Sequence, residues 1–158
     1  MDKPVRTIDD EAKDLVKDRF PIALDFDGTV VEHRYPFIGD ELPHCVKTLK
    51  KWNDMGVGII LDTMRDGEEL KAAVQWFEER SIELYGVGAN PTQHTWTKSP
   101  KAYGVFSIDD RNLGAPVKLD SSGRRNCIDW KEVDKRFTEL IAKYAEQYIA
   151  KHRCKTSL

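Results

Sequence analysis

With 158 residues, 40% of them hydrophobic and 33% charged, the chain can bury one proper core but has no room for a second large domain, so residues 1–158 are read as a single domain. Its 25 basic and 27 acidic side chains leave a formal net charge of −2, which excludes the overall basic field that draws proteins to nucleic acid. Cys45, Cys127 and Cys154 are odd in number and far apart, fitting neither a disulfide framework nor a zinc knuckle. The charged opening holds no apolar core of signal-peptide length, and no later run is long enough to cross a bilayer. The expectation is a soluble, cytoplasmic protein with no membrane partner.

Residues 1–19 hold Ile8, Ala12, Leu15 and Val16 at loosely helical spacing, which predicts a short surface helix. Ile22-Ala23-Leu24-Asp25-Phe26-Asp27-Gly28-Thr29-Val30 is then a buried-strand run that stops at two carboxylates, a glycine and a hydroxyl. Residues two apart on a strand point to one side, so Asp25 and Asp27 can face one small volume. Two such anions repel by roughly 4 kcal/mol at 4 Å and an effective dielectric near 20, a cost that asks for a cation or a shared proton. An apolar strand ending in a polar turn is the plainer alternative. An EF-hand calcium loop is excluded, because Gly28 comes too early and a strand rather than a helix precedes the acids.

Residues 28–39, with His33, Arg34, Tyr35 and Pro36, read as a short flap over the end of this strand. Leu42, Cys45, Val46, Leu49 and Trp52 recur at helical spacing, with Asp40 as cap, Pro43 in the first turn and Gly56 past the end. Val57 to Leu61 is a second strand, ending in Asp62-Thr63-Met64-Arg65. Asp66 and Glu69 form a capping box before a helix striped by Leu70, Ala73, Val74 and Phe77.

Ile82 to Val87 is a third strand, and Gly88 to Pro100 a loop rich in Asn, Pro, Thr and Ser. Gly86 and Gly88 make no dinucleotide fingerprint, since a loop follows where a helix should start. Tyr103 to Ile108 is a fourth strand, ending in Asp109-Asp110-Arg111-Asn112. Residues 117–128 form two extended arms about Ser121-Ser122-Gly123, and Asp129 with Glu132 caps a final helix over 129–152. Its stripe runs through Trp130, Val133, Phe137, Leu140, Ile141, Tyr144 and Tyr148.

Strand alternating with helix predicts a three-layer, doubly wound, mainly parallel α/β sheet, Rossmann-like and without a large cap domain. Ligands of such sheets bind beyond the carboxyl ends of the strands. Asp25 and Asp27 end the first strand, Thr63 the second, Asp109 and Asp110 the fourth, and Lys101 precedes the fourth from a loop. Taken singly, Thr63 also fits a bare strand end, Lys101 a solvated lysine, and Asp109-Asp110 a turn cap.

In that order, Asp25-Phe26-Asp27-Gly28-Thr29, Thr63, Lys101 and Asp109-Asp110 resemble the four motifs of the haloacid dehalogenase-like phosphatases, over about residues 22–112. The resemblance implies a Mg²⁺-dependent phosphomonoester hydrolase working through an aspartyl-phosphate. Asp25 would be the nucleophile and Asp27 the general acid and base. Asp25, the main-chain carbonyl of Asp27 and Asp109 would hold the metal, with Asp110 behind them carrying a metal-bound water or orienting Lys101. Thr63 and Lys101 would bind the phosphoryl oxygens. The family's ion-pumping members carry Thr where Asp27 stands, so an Asp favours hydrolysis.

His33, Arg34, Arg65, Asn112 and the Arg124-Arg125 pair are candidates for gripping the rest of the substrate. No two histidines have metal-ligand spacing, which argues against zinc. With no cap, the resemblance implies either a bulky phosphoester substrate or a homo-oligomer whose neighbouring subunit covers the site. Rival readings are a phosphotransferase and a phosphoacceptor signalling or binding module using the same acids. Receiver modules share the inventory but not its order. Turnover separates these readings, as catalytic phosphate release against a stable, stoichiometric phosphoprotein.

Overall fold

A computed structural model describes the backbone of residues 20–153 and the side chains of residues 20–143; the helix expected in 1–19 and the stripe positions Tyr144 and Tyr148 lie outside what is described. The elements run β1 (Pro21–Leu24), α1 (Cys45–Asp54), β2 (Gly58–Leu61), α2 (Gly67–Glu79), β3 (Gly86–Val87), β4 (Phe106–Ile108), β5 (Val117–Leu119), β6 (Asn126–Ile128) and α3 (Trp130–Arg153). The first four strands form one parallel sheet in the order β3-β2-β1-β4, and β5 and β6 form a separate antiparallel hairpin. The order reverses direction at β1, so a crevice opens beside it at the strands' carboxyl ends.

Both faces of the central strands are buried, as a parallel sheet requires. Every residue of β1 and β2 is buried. Ile22, Leu24, Ile59 and Leu61 join one core with Leu49 and Trp52 of α1, Trp76 and Phe77 of α2, and Trp130 and Phe137 of α3. Trp52 and Phe137 stack at 4.0 Å between ring centroids, which locks α1 against α3. The α/β class and parallel sheet match the sequence reading. Among the described residues, the helices α1 to α3 all contribute to that single core cluster.

Several expected boundaries shift because side chains or the flap take the backbone groups first. The helix expected from Leu42 starts at Cys45, with His44 as its N-cap at φ 66° and no side-chain cap. Residues 40–42 are instead tied to the flap base, the Asp40 carbonyl accepting from Glu32 N and Leu42 N donating to the Val30 carbonyl. Asp66 does precede α2, but its side chain makes no capping bond, so the box is not formed.

The third strand shrinks to two residues. Ile82 N donates to the Phe77 carbonyl and Glu83 N to Asn53 Oδ1, so the ladder begins only at Tyr85 N, which reaches the Ile59 carbonyl. The fourth strand shortens for a similar reason. Tyr103 is held by the side chains of Gln93 and Asn90, and sheet bonding begins with Val105 N to the Pro21 carbonyl. Asp129 caps α3 as expected, accepting from Lys131 N and Glu132 N. Glu132 turns instead to Arg136, closing no box. The two extended arms form the β5–β6 hairpin.

Candidate functional site

Register brings the acids together. Leu24 lies opposite Leu61 on one side and Ile108 on the other, so the three strands stop level and the next residues are Asp25, Asp62 and Asp109. Two bonds extend the ladder past the strands, Asp25 N to the Ile108 carbonyl at 3.0 Å and Asp62 N to the Leu24 carbonyl at 2.8 Å. Asp25, Asp109 and Asp110 consequently bring carboxylate oxygens within 4.8 Å of one another, all three residues being partly buried.

Beyond Asp25 the chain leaves the sheet. Phe26 is fully buried against Trp76 and Phe77, and its carbonyl accepts from Thr29 N, Val30 N and Val31 N as the loop folds back. That turn carries the wholly buried Thr29 into the acid cluster. Its hydroxyl donates toward Asp25 Oδ2 at 2.9 Å, with Asp110 Oδ1 at 3.3 Å, and accepts from Asp110 N at 3.1 Å. From the flap, His33 Nε2 meets Asp110 Oδ2 at 3.1 Å. Burial and the charge of Asp109 push the Asp25 carboxyl up to about 7, against the pull of the Thr29 hydroxyl.

Two further links support the motif loop from behind. Trp130 Nε1 donates to the Thr29 carbonyl at 2.7 Å and Ile128 N to the Gly28 carbonyl at 3.0 Å. The arms and the start of α3, whose purpose the sequence does not reveal, are therefore its buttress. Glu32, buried, ties the flap to the hairpin tip through Ser121 N and Ser121 Oγ, both at 2.8 Å.

The two-residue alternation of β1 ends with the strand at Leu24, and Asp27 lies in the loop beyond it. Its carboxylate faces Arg65, whose Nε donates to Oδ2 and whose NH2 donates to Oδ1, both at 2.7 Å. The Arg65 side chain is 1% exposed, so the candidate substrate contact at this position points inward. Its backbone N donates to Thr63 Oγ1 at 3.2 Å, and among the described residues the Thr63 hydroxyl proton has no acceptor.

Lys101 is exposed, and its side chain makes no hydrogen bond or ion pair among the described residues. Arg34 pairs with Glu32 at 3.1 Å, and the exposed Asn112 reaches the Ser107 carbonyl at 3.4 Å. Exposed aromatic rings stand on the flap, Tyr35 and Phe37, and on the loop after β3 at Trp96. Thr29 in its bridging role, the Arg65 pair and Glu32 are what the sequence reading missed. Only Thr29 carried a signal, as the last residue of the Asp-Phe-Asp-Gly-Thr run.

The donor set is one that a hard divalent cation takes, all oxygen and all from carboxylates. Burial and the neighbouring charge of Asp109 lift Asp25, and such an ion would offset the repulsive part of that rise. Mg²⁺ therefore fits Asp25, Asp109 and Asp110 by charge and by donor chemistry. No helix among the described residues is long and apolar enough to cross a membrane.

No family model matches the chain, and no curated protein matches it. Among solved structures it is similar to a conserved protein from Bacteroides thetaiotaomicron, with 38% sequence identity and a TM-score of 0.63, over 75% of this chain and 89% of that one.

Proposed function

The chain belongs to the same family as that conserved Bacteroides protein, and from the rim of the sheet we propose a Mg²⁺-dependent phosphomonoester hydrolase of the haloacid dehalogenase-like type. The single observation that carries this reading is the meeting of Asp25 with Asp109 and Asp110 at the level ends of two adjacent parallel strands. Asp25 and Asp109, with the main-chain oxygen of Asp27, would hold the ion, and Asp110 would stand beside it. When bound, the ion neutralises the repulsion between a carboxylate and a phosphate dianion.

Asp25 supplies the nucleophilic oxygen. As its bond to phosphorus forms, the bond to the leaving oxygen breaks and that oxygen takes a proton from Asp27. In the second half, water attacks phosphorus, the bond from phosphorus to the Asp25 oxygen breaks to release phosphate and the free carboxylate, and the water's proton passes to Asp27. Thr29 orients the Asp25 carboxylate through its 2.9 Å bond. Thr63 donates its free hydroxyl proton to a phosphoryl oxygen, and Lys101 brings a positive charge in from its loop when substrate binds.

The test is phosphate release from 4-nitrophenyl phosphate with Mg²⁺. Activity should vanish with EDTA and fall about a thousandfold or more in Asp25→Asn. Undiminished turnover in that variant would refute the nucleophile. A phosphoprotein accumulating one phosphate per chain without turnover would make the domain a phosphoacceptor module instead. A panel of sugar, nucleotide, lipid-headgroup and peptide phosphates identifies the substrate class.

A further inference from the structure

The pairing of Arg65 with Asp27 has no part in the scheme above, although few polar groups at this rim are held from so many sides. Arg65 donates twice to Asp27, at 2.7 Å each. It also donates to the Pro36 carbonyl at 3.1 Å and to the Phe37 carbonyl at 2.9 Å, both in the flap. Its guanidinium carbon lies 5.1 Å from the Phe26 ring centroid and 5.3 Å from that of Tyr35. A planar fork held between two rings and two fixed carbonyls allows one plane for the carboxylate it grips. With 1% of its side chain exposed, Arg65 cannot itself grip a substrate without leaving this socket.

A carboxylate offers about four acceptor positions, two on each oxygen. Arg65 takes one on each, so each oxygen of Asp27, whose side chain is 15% exposed, keeps one facing away from the guanidinium. The same arginine donates its backbone N–H to Thr63. One residue thus fixes the acid/base carboxylate relative to both the flap and the hydroxyl proposed to bind phosphate.

Resting on the phosphatase reading, we propose that Arg65 is a positioning residue for proton transfer by Asp27. In the first half-reaction the Asp25–phosphorus bond forms, the bond from phosphorus to the leaving oxygen breaks, and the Asp27 proton goes to that oxygen. Only the last of these movements depends on where the Asp27 carboxylate stands. An alkyl phosphate must receive that proton as its oxygen leaves, whereas 4-nitrophenolate leaves as a stable anion.

The measurement is kcat/KM for glycerol phosphate and for 4-nitrophenyl phosphate, with Mg²⁺, in the full chain and in Arg65→Lys and Arg65→Gln. The alkyl ester should lose at least about tenfold more than the aryl ester in both variants, since general acid catalysis is worth roughly 10²–10⁴-fold. Because the ratio is taken in one preparation, a partly unfolded variant does not alter it. Partial restoration of alkyl ester turnover by millimolar guanidinium ion added to Arg65→Gln is also expected. Equal losses on the two esters, or faster alkyl ester turnover, would overturn the proposal. A native chain inactive on both esters would instead sink the phosphatase reading on which it rests.

Discussion

A methyl group added at Gly28 would stand 2.4 Å from His33 Nε2 and 2.6 Å from Asp110 Oδ2, at a backbone φ of +79°. Glycine is needed here twice over, for the left-handed turn and for the approach of the flap histidine to the acid cluster. Gly28→Ala should therefore cost about 1–2 kcal/mol of stability from the backbone alone, read by urea denaturation. It should also weaken Mg²⁺ binding about tenfold by displacing Asp110, read by titrating the metal against the melting temperature. Asp25 makes a different prediction. Its carboxyl is lifted from 3.8 to about 7 by burial and by Asp109, so without metal the folded chain keeps a proton that the unfolded chain releases across that window. Its contribution to stability is full below pH 4, falls by at most about 1.4 kcal/mol per pH unit as pH rises toward 7, and is flat above. The melting temperature of metal-free protein should thus decline from pH 5 to 7.5. Asp25→Asn should remove that part of the slope, and an unchanged slope in the variant would put the titrating group elsewhere.

Among the elements, the β5–β6 hairpin and the start of α3 hold the motif loop without contributing an atom to the proposed chemistry. Removing the indole donor with Trp130→Phe leaves the Thr29 carbonyl without that partner and should cost about 1–3 kcal/mol by denaturant titration. Glu32→Ala should cost a similar amount and raise amide exchange at Ser121, since it removes both bonds from the flap to Ser121. Element identity was legible in the sequence wherever an apolar run met a turn residue. That is how Leu24, Leu61 and Ile108 were read as strand ends and Asp25, Thr63 and Asp109 as a rim. The ladder's true starts were not legible, because Asn53, Asn90 and Gln93 bond backbone groups remote in sequence, which no local spacing encodes. Strand alternation ends at Leu24, so it does not encode what the Asp27 side chain meets. Its partner Arg65 lies 38 residues on, and only the folded loops bring the two together.

For the molecule as a whole, the proposed Mg²⁺ site would link metal binding to folding, since its three acids come from two strands and the unfolded chain has no such site. At a free Mg²⁺ concentration a hundredfold above its dissociation constant, stability should rise by about 2.7 kcal/mol. The rise should be larger at pH 8 than at pH 5, where protons compete for Asp25. A scan of melting temperature against Mg²⁺ at both pH values checks this, and an equal shift at both would argue against Asp25 as a ligand.

The level stop of β1 and β4 also makes the acid cluster a gauge of strand alignment. A single residue inserted between Phe106 and Ile108 would advance Asp109 by about 3.3 Å and turn the following side chains to the opposite face. The same insertion among residues 97–100 leaves the pairing of Ile22 with Phe106 intact and is absorbed by an exposed loop. Two chains of equal length and nearly equal composition would then differ in whether they can carry a divalent ion, which calorimetric titration with Mg²⁺ would tell apart.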